Sequence, residues 1–203
     1  MTKIAVIYYS LYGHTKTLAD KACAAAAADG VEATVFQVPE TLSEDVLKVM
    51  GAAPRTSDPI ASGKTLEEHD GYILVIPTRY GRAVGQFSAF FDHTGGLWAK
   101  QALSKKMATI ITSTGTQHGG QETTALTTIP FLTHHGIIYV PLGYADAKLM
   151  NMSEVLGGSP WGAGTLAAAD GSRQPSELEL GIVETHAKYF SGVVHQFIKG
   201  KTA

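Results

Sequence analysis

Ser10-Leu11-Tyr12-Gly13-His14-Thr15 is the stretch from which the fold follows. Residues 3–9 before it form an almost continuous apolar run, which is typical of a parallel strand buried on both faces. Residues 14–28 after it are rich in alanine and contain no proline, a composition that favours a helix. The sequence therefore predicts a strand, a tight loop and a helix in direct succession.

The predicted loop carries groups that bind phosphate. Its backbone N–H groups meet the positive end of the helix dipole, and Gly13 allows the main chain to turn tightly. Ser10, Thr15 and Thr17 add hydroxyl groups, so the loop suits a terminal phosphate monoester. It has neither the lysine of a Walker A loop nor the GxGxxG pattern of a dinucleotide fold. Because Gly-His is also ordinary turn chemistry, phosphate binding and a plain turn both remain open from this loop alone.

Length and composition indicate one globular domain spanning residues 1–203. The chain has 203 residues, of which 44% are hydrophobic and 17% charged. A net charge of −2 without a basic tract gives no indication of a nucleic-acid partner. No apolar run reaches the length of a membrane-spanning helix, and the early first strand leaves no room for a signal peptide. The single cysteine, Cys23, is predicted to pack among alanines and suits a reducing compartment, so a cytoplasmic location is expected.

The rest of the chain alternates strands and helices. Further strands are predicted at residues 31–38, 72–76, 107–111 and 137–140. Further helices are predicted at residues 43–50, 86–93, 122–133 and 176–198. Asp29-Gly30 is predicted to end the first helix, and residues 142–175 are predicted to form a long excursion. This alternation predicts an α/β fold with a doubly wound, five-stranded parallel sheet and helices on both faces.

Three predicted loops leave the carboxyl ends of strands, at residues 10–15, 77–85 and 113–120. Ligands of doubly wound sheets bind at these ends, so we expect the three loops to form one cleft. The second loop offers the ring of Tyr80 and two cations, and the third offers hydroxyls around Gly115. A ligand with a terminal phosphate and a flat hydrogen-bonding ring would satisfy all three loops, and this describes FMN.

Six stretches of the chain together match a known family. They are Tyr8-Tyr9-Ser10-Leu11-Tyr12-Gly13-His14, Pro77-Thr78-Arg79-Tyr80-Gly81, Thr94-Gly95-Gly96-Leu97-Trp98, Ser113-Thr114-Gly115-Thr116, His134-His135-Gly136 and Gly171-Ser172-Arg173-Gln174-Pro175. With these motifs the chain resembles the flavodoxin-like WrbA family of NAD(P)H:quinone oxidoreductases over nearly its whole length.

This resemblance implies a flavodoxin-like strand order of 2-1-3-4-5 and FMN-dependent two-electron reduction of quinones to hydroquinones. It also implies NADH or NADPH as co-substrate, a quinone as second substrate and a homotetramer formed as a dimer of dimers. The FMN-binding residues that it implies are Ser10, Leu11, Tyr12, Gly13, His14, Thr15, Pro77, Thr78, Arg79, Tyr80, Gly81, Ser113, Thr114, Gly115, Thr116, Gln117, His118, Gly119 and His134. The catalytic residues that it implies are His134, Trp98 and Arg79.

The same resemblance gives an expected geometry for the reaction. Trp98 would form a wall over the flavin ring, His134 would reach the site from a neighbouring region or subunit, and Tyr12 would meet the nicotinamide. Tyr80, Trp98 and His134 would then face one side of one ring and leave a single flat opening. Nicotinamide and quinone would use that opening in turn, which predicts a ping-pong cycle.

The chain departs from the family pattern at two places. The family usually reads Ser-Thr-Gly-Thr-Gly-Gly-Gly-Gln in the third loop, whereas residues 113–121 contain one additional residue and lack one of those glycines. The N–H groups that meet the flavin after Thr116 are therefore undetermined by sequence. Arg82 stands where the family commonly has Asn, and it would lie near the ring or point to solvent.

Several alternatives accompany these expectations. Adjacent His134 and His135 point in different directions on a helix, and no second ligand cluster accompanies them, so no metal site is expected. Ser10 and His14 lack the G-x-S-x-G elbow of a hydrolase. A flavodoxin-type electron carrier would be more acidic than this chain. A non-enzymatic scaffold or stress-associated protein would not need three convergent loops.

Overall fold

The computed structural model describes residues 1–27 and 30–200. Its strands are β1 (Thr2–Tyr8), β2 (Val31–Gln37), β3 (Gly71–Arg79), β4 (Arg82–Ala83), β5 (Met107–Thr114), β6 (Ile138–Tyr139), β7 (Gly158–Ser159) and β8 (Gly162–Leu166). Its α-helices are α1 (His14–Ala26), α2 (Glu44–Val49), α3 (Gly63–Glu68), α4 (Gly85–Asp92), α5 (Gly95–Ala99), α6 (Thr123–His134) and α7 (Glu177–Gly200). A 3₁₀ helix spans Ala147–Met150.

The sheet has the strand order β2-β1-β3-β5-β8, with β7 at the edge beyond β8. Pairing is parallel from β2 to β8, and only the short strands β4 and β7 pair antiparallel with their neighbours in the described part of the chain. Since β5 is the fourth of the predicted strands, the expected order 2-1-3-4-5 and the flavodoxin-like fold are confirmed.

The fifth strand position differs from the prediction. Residues 137–140 were expected to fill it, but only Ile138–Tyr139 forms β6, which pairs with the beginning of β5. The end of β5, from Thr112 to Thr114, pairs instead with β8, which lies inside the predicted excursion 142–175. Two separate segments therefore share one strand position, because β6 is too short to cover the length of β5.

Helices cover both faces of the sheet, as predicted. On one face α1 and α7 pack on Val6 and Ile73 through apolar side chains such as Leu18 and Phe190. On the other face α4 and α6 pack on Ile7 and Ile76 through others such as Phe87 and Leu132. The central strands are apolar on both faces because helices bury both sides.

The ends of the strands differ from their predicted positions mainly beside the loops that are expected to form the ligand site. β3 continues past residue 76 to Arg79, and β5 continues past residue 111 to Thr114, so both strands carry polar residues into the predicted loops. Gly30 has φ 79, as its role in ending α1 requires, while Ala28 and Asp29 lie outside the described residues. Among the residues described, no helix is long and apolar enough to cross a membrane.

Candidate active site

The first loop ends in a helix N-terminus that suits an anion. Gly13 precedes α1 at φ 96, a left-handed conformation that favours glycine. No side chain caps α1, and its first turn contains no acidic residue. The N–H groups of that turn therefore keep their hydrogen-bonding capacity and their positive potential for an external acceptor.

The side chains of this loop mostly face inward. The Thr15 hydroxyl is buried and donates to the Tyr9 carbonyl at 2.6 Å, and the Thr17 hydroxyl donates to the Gly13 carbonyl at 3.3 Å. Ser10 Oγ accepts the Gly13 N–H at 3.0 Å, which leaves the Ser10 proton for another acceptor. The protons of Thr15 and Thr17 are thus used within the loop, and the expectation that all three hydroxyls donate to phosphate stays a prediction.

His14 also turns away from the loop opening. Its ring is buried, and Nε2 lies 3.0 Å from the Arg173 carbonyl oxygen. That oxygen can only accept, so Nε2 carries the proton and donates. His14 can therefore serve a bound anion through its backbone N–H, while its ring holds the segment around Arg173 beside α1.

The second predicted loop, residues 77–85, is in fact a β-hairpin. β3 and β4 pair antiparallel, with Thr78 opposite Ala83 and Arg79 opposite Arg82. Tyr80 at φ 56 and Gly81 at φ 75 form the turn, as a type I′ hairpin requires. The Tyr80 side chain is 91% exposed, and the Arg79 guanidinium lies 5.5 Å from its ring centroid.

The hairpin and the third loop touch each other. A Cβ on Gly120, whose φ is 118, would lie 2.9 Å from the Gly81 Cα, so only glycine permits this approach. The Thr124 hydroxyl also donates to Thr78 Oγ1 at 2.8 Å. The predicted convergence is thus observed for these two loops, and β1 and β3 bring the first loop to the same edge. We call residues 10–15, 77–83 and 113–121 the three-loop edge.

The additional residue of the third loop is accommodated at its tip. Gln117 and His118 are exposed, and the turn around them is closed by the Gly119 N–H, which donates to the Thr116 carbonyl at 3.1 Å. A Cβ on Gly119 would lie 2.8 Å from Thr116 Oγ1, so the turn is too tight for a larger residue. Ser113 and Thr114 remain inside β5 and are buried.

Gln121, which sequence reasoning missed, fastens the third loop to the last strands. Its Nε2 donates to Thr114 Oγ1 at 2.7 Å and to the Thr165 carbonyl at 2.9 Å. Its Oε1 accepts the Gly158 N–H at 2.7 Å. The family pattern of the third loop ends in Gln, but its role was not recognisable from sequence, because its partners lie in segments that meet only in the folded chain.

Glu179 was missed as well. Its carboxylate is fully buried and forms an ion pair with Arg173 at 2.9 Å. It also accepts the Gly157 N–H at 2.9 Å and the Thr165 hydroxyl at 2.7 Å, which fixes the segment before and after β8. The sequence does contain a signal for this residue. Glu179 shares the buried stripe of α7 with Ile182, and a buried carboxylate needs hydrogen-bond or ion-pair partners inside the protein.

Trp98 and His134 line a different part of the surface. Both are exposed and border a recess of about 370 Å³. The residues that line this Trp98 recess are Trp98, Ala99, Gln101, Ser104, Thr133, His134, His135 and Gly136. It holds two of the three predicted catalytic side chains.

The Trp98 recess lies at the amino ends of the strands, opposite the three-loop edge. α6 starts beside the hairpin, where the Thr127 hydroxyl donates to the Gly81 carbonyl at 3.3 Å. It starts at Thr123 and ends eleven residues later at His134, about 17 Å away, beside the turn before β5. Within one chain the length of α6 separates His134 from Tyr80, so the expectation that Tyr80, Trp98 and His134 face one opening stays a prediction about neighbouring subunits.

His135 forms the buried wall of the recess. Its Nε2 lies 2.9 Å from Thr94 Oγ1, whose proton is donated to the Phe91 carbonyl. Nε2 is therefore the donor, and the buried Nδ1 has no partner among the described residues. Burial and, secondarily, neighbouring His134 lower the pKa of His135.

Fold and edge together define a flavodoxin-like protein with an anion-binding loop. The family model described as "NADPH-dependent FMN reductase" matches residues 2–148, and the chain belongs to this family. It is 53% identical over 194 residues to quinone-oxidoreductase QR2 of Triphysaria versicolor, which covers 95% of each chain. It is 48% identical over 195 residues to NAD(P)H quinone oxidoreductase PST2 of Candida albicans, covering 96% of this chain and 97% of that protein.

A solved structure shares the fold. The flavodoxin, WrbA-like protein from Agrobacterium tumefaciens aligns with a TM-score of 0.67 at 20% identity and covers 97% of this chain and 99% of that chain. At this identity the likeness concerns the fold alone. The resemblance expected from the sequence motifs is confirmed by these relatives together.

Proposed function

We propose that this protein is an FMN-dependent NAD(P)H:quinone oxidoreductase that reduces quinones to hydroquinones. The observation that carries the proposal is the three-loop edge, where an uncapped helix N-terminus and two polar loops converge. Relatives at 48% and 53% identity are named for quinone reduction, which supports the same reaction here.

The residues of the edge fit FMN. The N–H groups at the start of α1 and the Ser10 hydroxyl suit the phosphate, since that turn carries no acidic side chain. The hairpin at Thr78–Tyr80 and the third loop from Ser113 to Gly119 would hold the ring and the ribityl chain. The Thr114 hydroxyl already donates to the Thr116 carbonyl and accepts from Gln121 Nε2, so the third loop would contribute through its backbone there.

When bound there, FMN supplies the two-electron chemistry by accepting hydride from NAD(P)H and passing the electrons to a quinone. The protein's task is to hold the reactants and to balance charge. Arg79 offers a cation at the edge for negative charge that develops on the flavin ring. Tyr12 is 53% exposed beside the phosphate loop and is available to contact the nicotinamide.

We also propose that the complete site is shared between copies in a homotetramer with two-fold axes. Trp98 and His134 are exposed at the end of the sheet opposite their own three-loop edge. A second copy can bring its Trp98 recess to the first copy's edge, and two-fold symmetry then completes both sites at once. The aromatic wall over the ring and the His134 contact come from the partner in this arrangement.

The proposal is tested by cofactor content and turnover on the same preparation. Bound FMN is measured by absorbance, and NAD(P)H oxidation is followed with and without benzoquinone. We expect stoichiometric FMN, quinone-dependent turnover and parallel double-reciprocal lines at several fixed quinone concentrations. Bound FMN without turnover would identify an electron carrier, and a protein without FMN would be a scaffold. Intersecting double-reciprocal lines would contradict a single opening used in turn by nicotinamide and quinone.

The cytoplasm is the proposed location. Cys23, the only cysteine, is half-buried, and burial raises the pKa of its thiol. A chain that uses no disulfide suits a reducing compartment.

A further inference from the structure

The tip of the hairpin carries two arginines side by side. Arg79 and Arg82 are directly opposite each other in the antiparallel pair, and both are exposed. Directly opposite residues on one face of such a pair have Cβ atoms about 5 Å apart. The two arginine side chains therefore start from neighbouring positions at the tip of the hairpin, on the three-loop edge.

This pair of cations has no carboxylate to neutralise it. Within residues 1–27 and 30–200, no carboxylate oxygen lies within 4.0 Å of either guanidinium, and the chain's ion pairs use other basic residues. Like charges directly opposite each other destabilise a hairpin. The type I′ turn at Tyr80–Gly81 and the packing of Gly81 against Gly120 nevertheless hold the hairpin in place. Two neighbouring arginines without a carboxylate partner are suited to bind an anion.

We propose that Arg82, opposite Arg79 in the hairpin, binds a phosphoryl group of the pyridine dinucleotide, while Arg79 keeps the role toward the flavin ring proposed above. This inference rests on the proposed function, which brings three molecules to the edge. The FMN phosphate is matched by the N-terminus of α1, and a quinone is uncharged. The dinucleotide is the remaining anion, and bidentate guanidinium groups match phosphoryl oxygens. Arg82 is thus a binding determinant for the co-substrate that the commoner Asn at this position would not supply.

The test compares three variants with the wild-type protein loaded with FMN. Arg82→Asn removes the proposed phosphoryl-binding cation, and Arg82→Lys keeps the charge without the bidentate geometry. Lys64→Asn is the matched control, because Lys64 pairs with Glu68 at 3.5 Å on α3, at the amino end of the sheet. It changes the net charge equally but far from the edge.

Two measurements are made on each variant. Equilibrium binding of 2′,5′-ADP and of ADP is measured by calorimetry, and the KM values for NADPH and NADH are measured with benzoquinone. We expect Arg82→Asn to weaken phosphoryl binding about tenfold, Arg82→Lys to have an intermediate effect and Lys64→Asn to have none. FMN content should stay unchanged in all three, and Lys64→Asn should also keep the wild-type kcat.

The pattern of losses across the four ligands identifies which phosphate is bound. A loss confined to 2′,5′-ADP and NADPH assigns the 2′-phosphate, and an equal loss with ADP and NADH assigns the pyrophosphate; both support the subsite. Equal affinities for wild type and Arg82→Asn with all four ligands would overturn it. The proposed function is judged separately, because wild-type turnover with benzoquinone does not depend on the Arg82 result.

Discussion

The three-loop edge and the Trp98 recess are built in different ways. The three-loop edge depends on the conformation of the main chain. Its N–H groups and short loops are positioned by Gly13 at φ 96, the Tyr80–Gly81 turn and the close approach of Gly120. The recess depends on side chains, since Trp98 is 56% exposed at one wall and His135 is buried at the other. The first region fits a cofactor through its backbone, and the second presents the exposed side chains of Trp98 and His134 at its surface.

The difference gives a physical reason for the proposal that one chain carries two halves of a site. Cofactor loops must lie at the carboxyl ends of parallel strands, because helix N-termini point there. Residues at the far ends of α4 and α6 cannot reach that edge, since the helices run the length of the sheet. Changes in backbone conformation should therefore damage cofactor binding, and side-chain truncations should damage the use of the cofactor.

The largest effect is expected from Gly13→Val. A β-branched residue at φ 96 is strained by several kcal/mol and would pull the first turn of α1 out of place. We expect FMN affinity to fall about a hundredfold, corresponding to about 2.7 kcal/mol. The measurement is fluorescence titration of the apoprotein with FMN.

Gly30→Val is the control for this substitution. Gly30 has φ 79 and nothing within 4 Å of an added Cβ, which matches Gly13 in strain and in space, but it lies beyond the other end of α1. Both variants should lose similar thermal stability, and only Gly13→Val should lose FMN. Equal FMN affinity in the two variants would place the phosphate elsewhere.

A smaller effect is expected from Trp98→Ala. FMN binding should stay intact, while the KM for benzoquinone rises about tenfold, because a flat substrate loses the aromatic face on which it packs. Tyr189→Ala, at a 45% exposed aromatic side chain on α7, is the control and should change neither value. Unchanged quinone kinetics in Trp98→Ala would make the recess a structural feature only.

Mixing the two damaged chains tests whether the site is shared. Gly13→Val supplies an intact Trp98 recess, and Trp98→Ala supplies an intact edge. In randomly mixed two-fold pairs, about a quarter of all sites combine both intact halves. We expect co-expressed chains to show a turnover component with the wild-type KM for quinone. Kinetics equal to the average of the separate variants would argue for sites contained in one chain.

The smallest effect on activity is expected from mild acidification. It should lower the free energy of unfolding of the domain that carries both the three-loop edge and the Trp98 recess. His186 is fully buried between β5, β8 and α7, where Nδ1 accepts the Ala163 N–H and Nε2 lies 2.6 Å from Thr109 Oγ1. Burial lowers the pKa of His186 to about 3. Below pH 6.5 the His186 imidazole is protonated in the unfolded chain but not in the folded chain. The free energy of unfolding therefore falls as pH falls from 6.5 towards 3, by about 1.4 kcal/mol per pH unit.

Urea unfolding between pH 6.5 and 5 checks this slope. His135, whose pKa is lowered by burial, adds to the same trend. His186→Gln should be less stable at pH 7 and should show a shallower pH dependence than wild type. A slope identical to that of the wild type would mean that His186 does not carry the effect.

Much of the fold followed from local patterns. The apolar runs of β1 and β3 and the loop at Gly13 were recognisable because strands buried on both faces and β–α turns have strong compositional signals. The convergence of the loops followed from topology alone, since parallel strands end at one edge. The hairpin at Tyr80 was missed, because a tyrosine at positive φ carries no turn signal of its own.

The sequence by itself determined the alternation of strands and helices and the tight loop at Gly13, because each depends on neighbouring residues, while the flavodoxin-like order came from the family resemblance. Only the tertiary structure decided that Gly162–Leu166 completes the sheet. This segment has little strand signal, and it pairs because glycine alone fits there: a Cβ on Gly162 would lie 1.9 Å from the Ile110 carbonyl oxygen. Tertiary structure likewise decided that Trp98 lies away from its own three-loop edge, since the length of α6 separates residues that a family motif groups together.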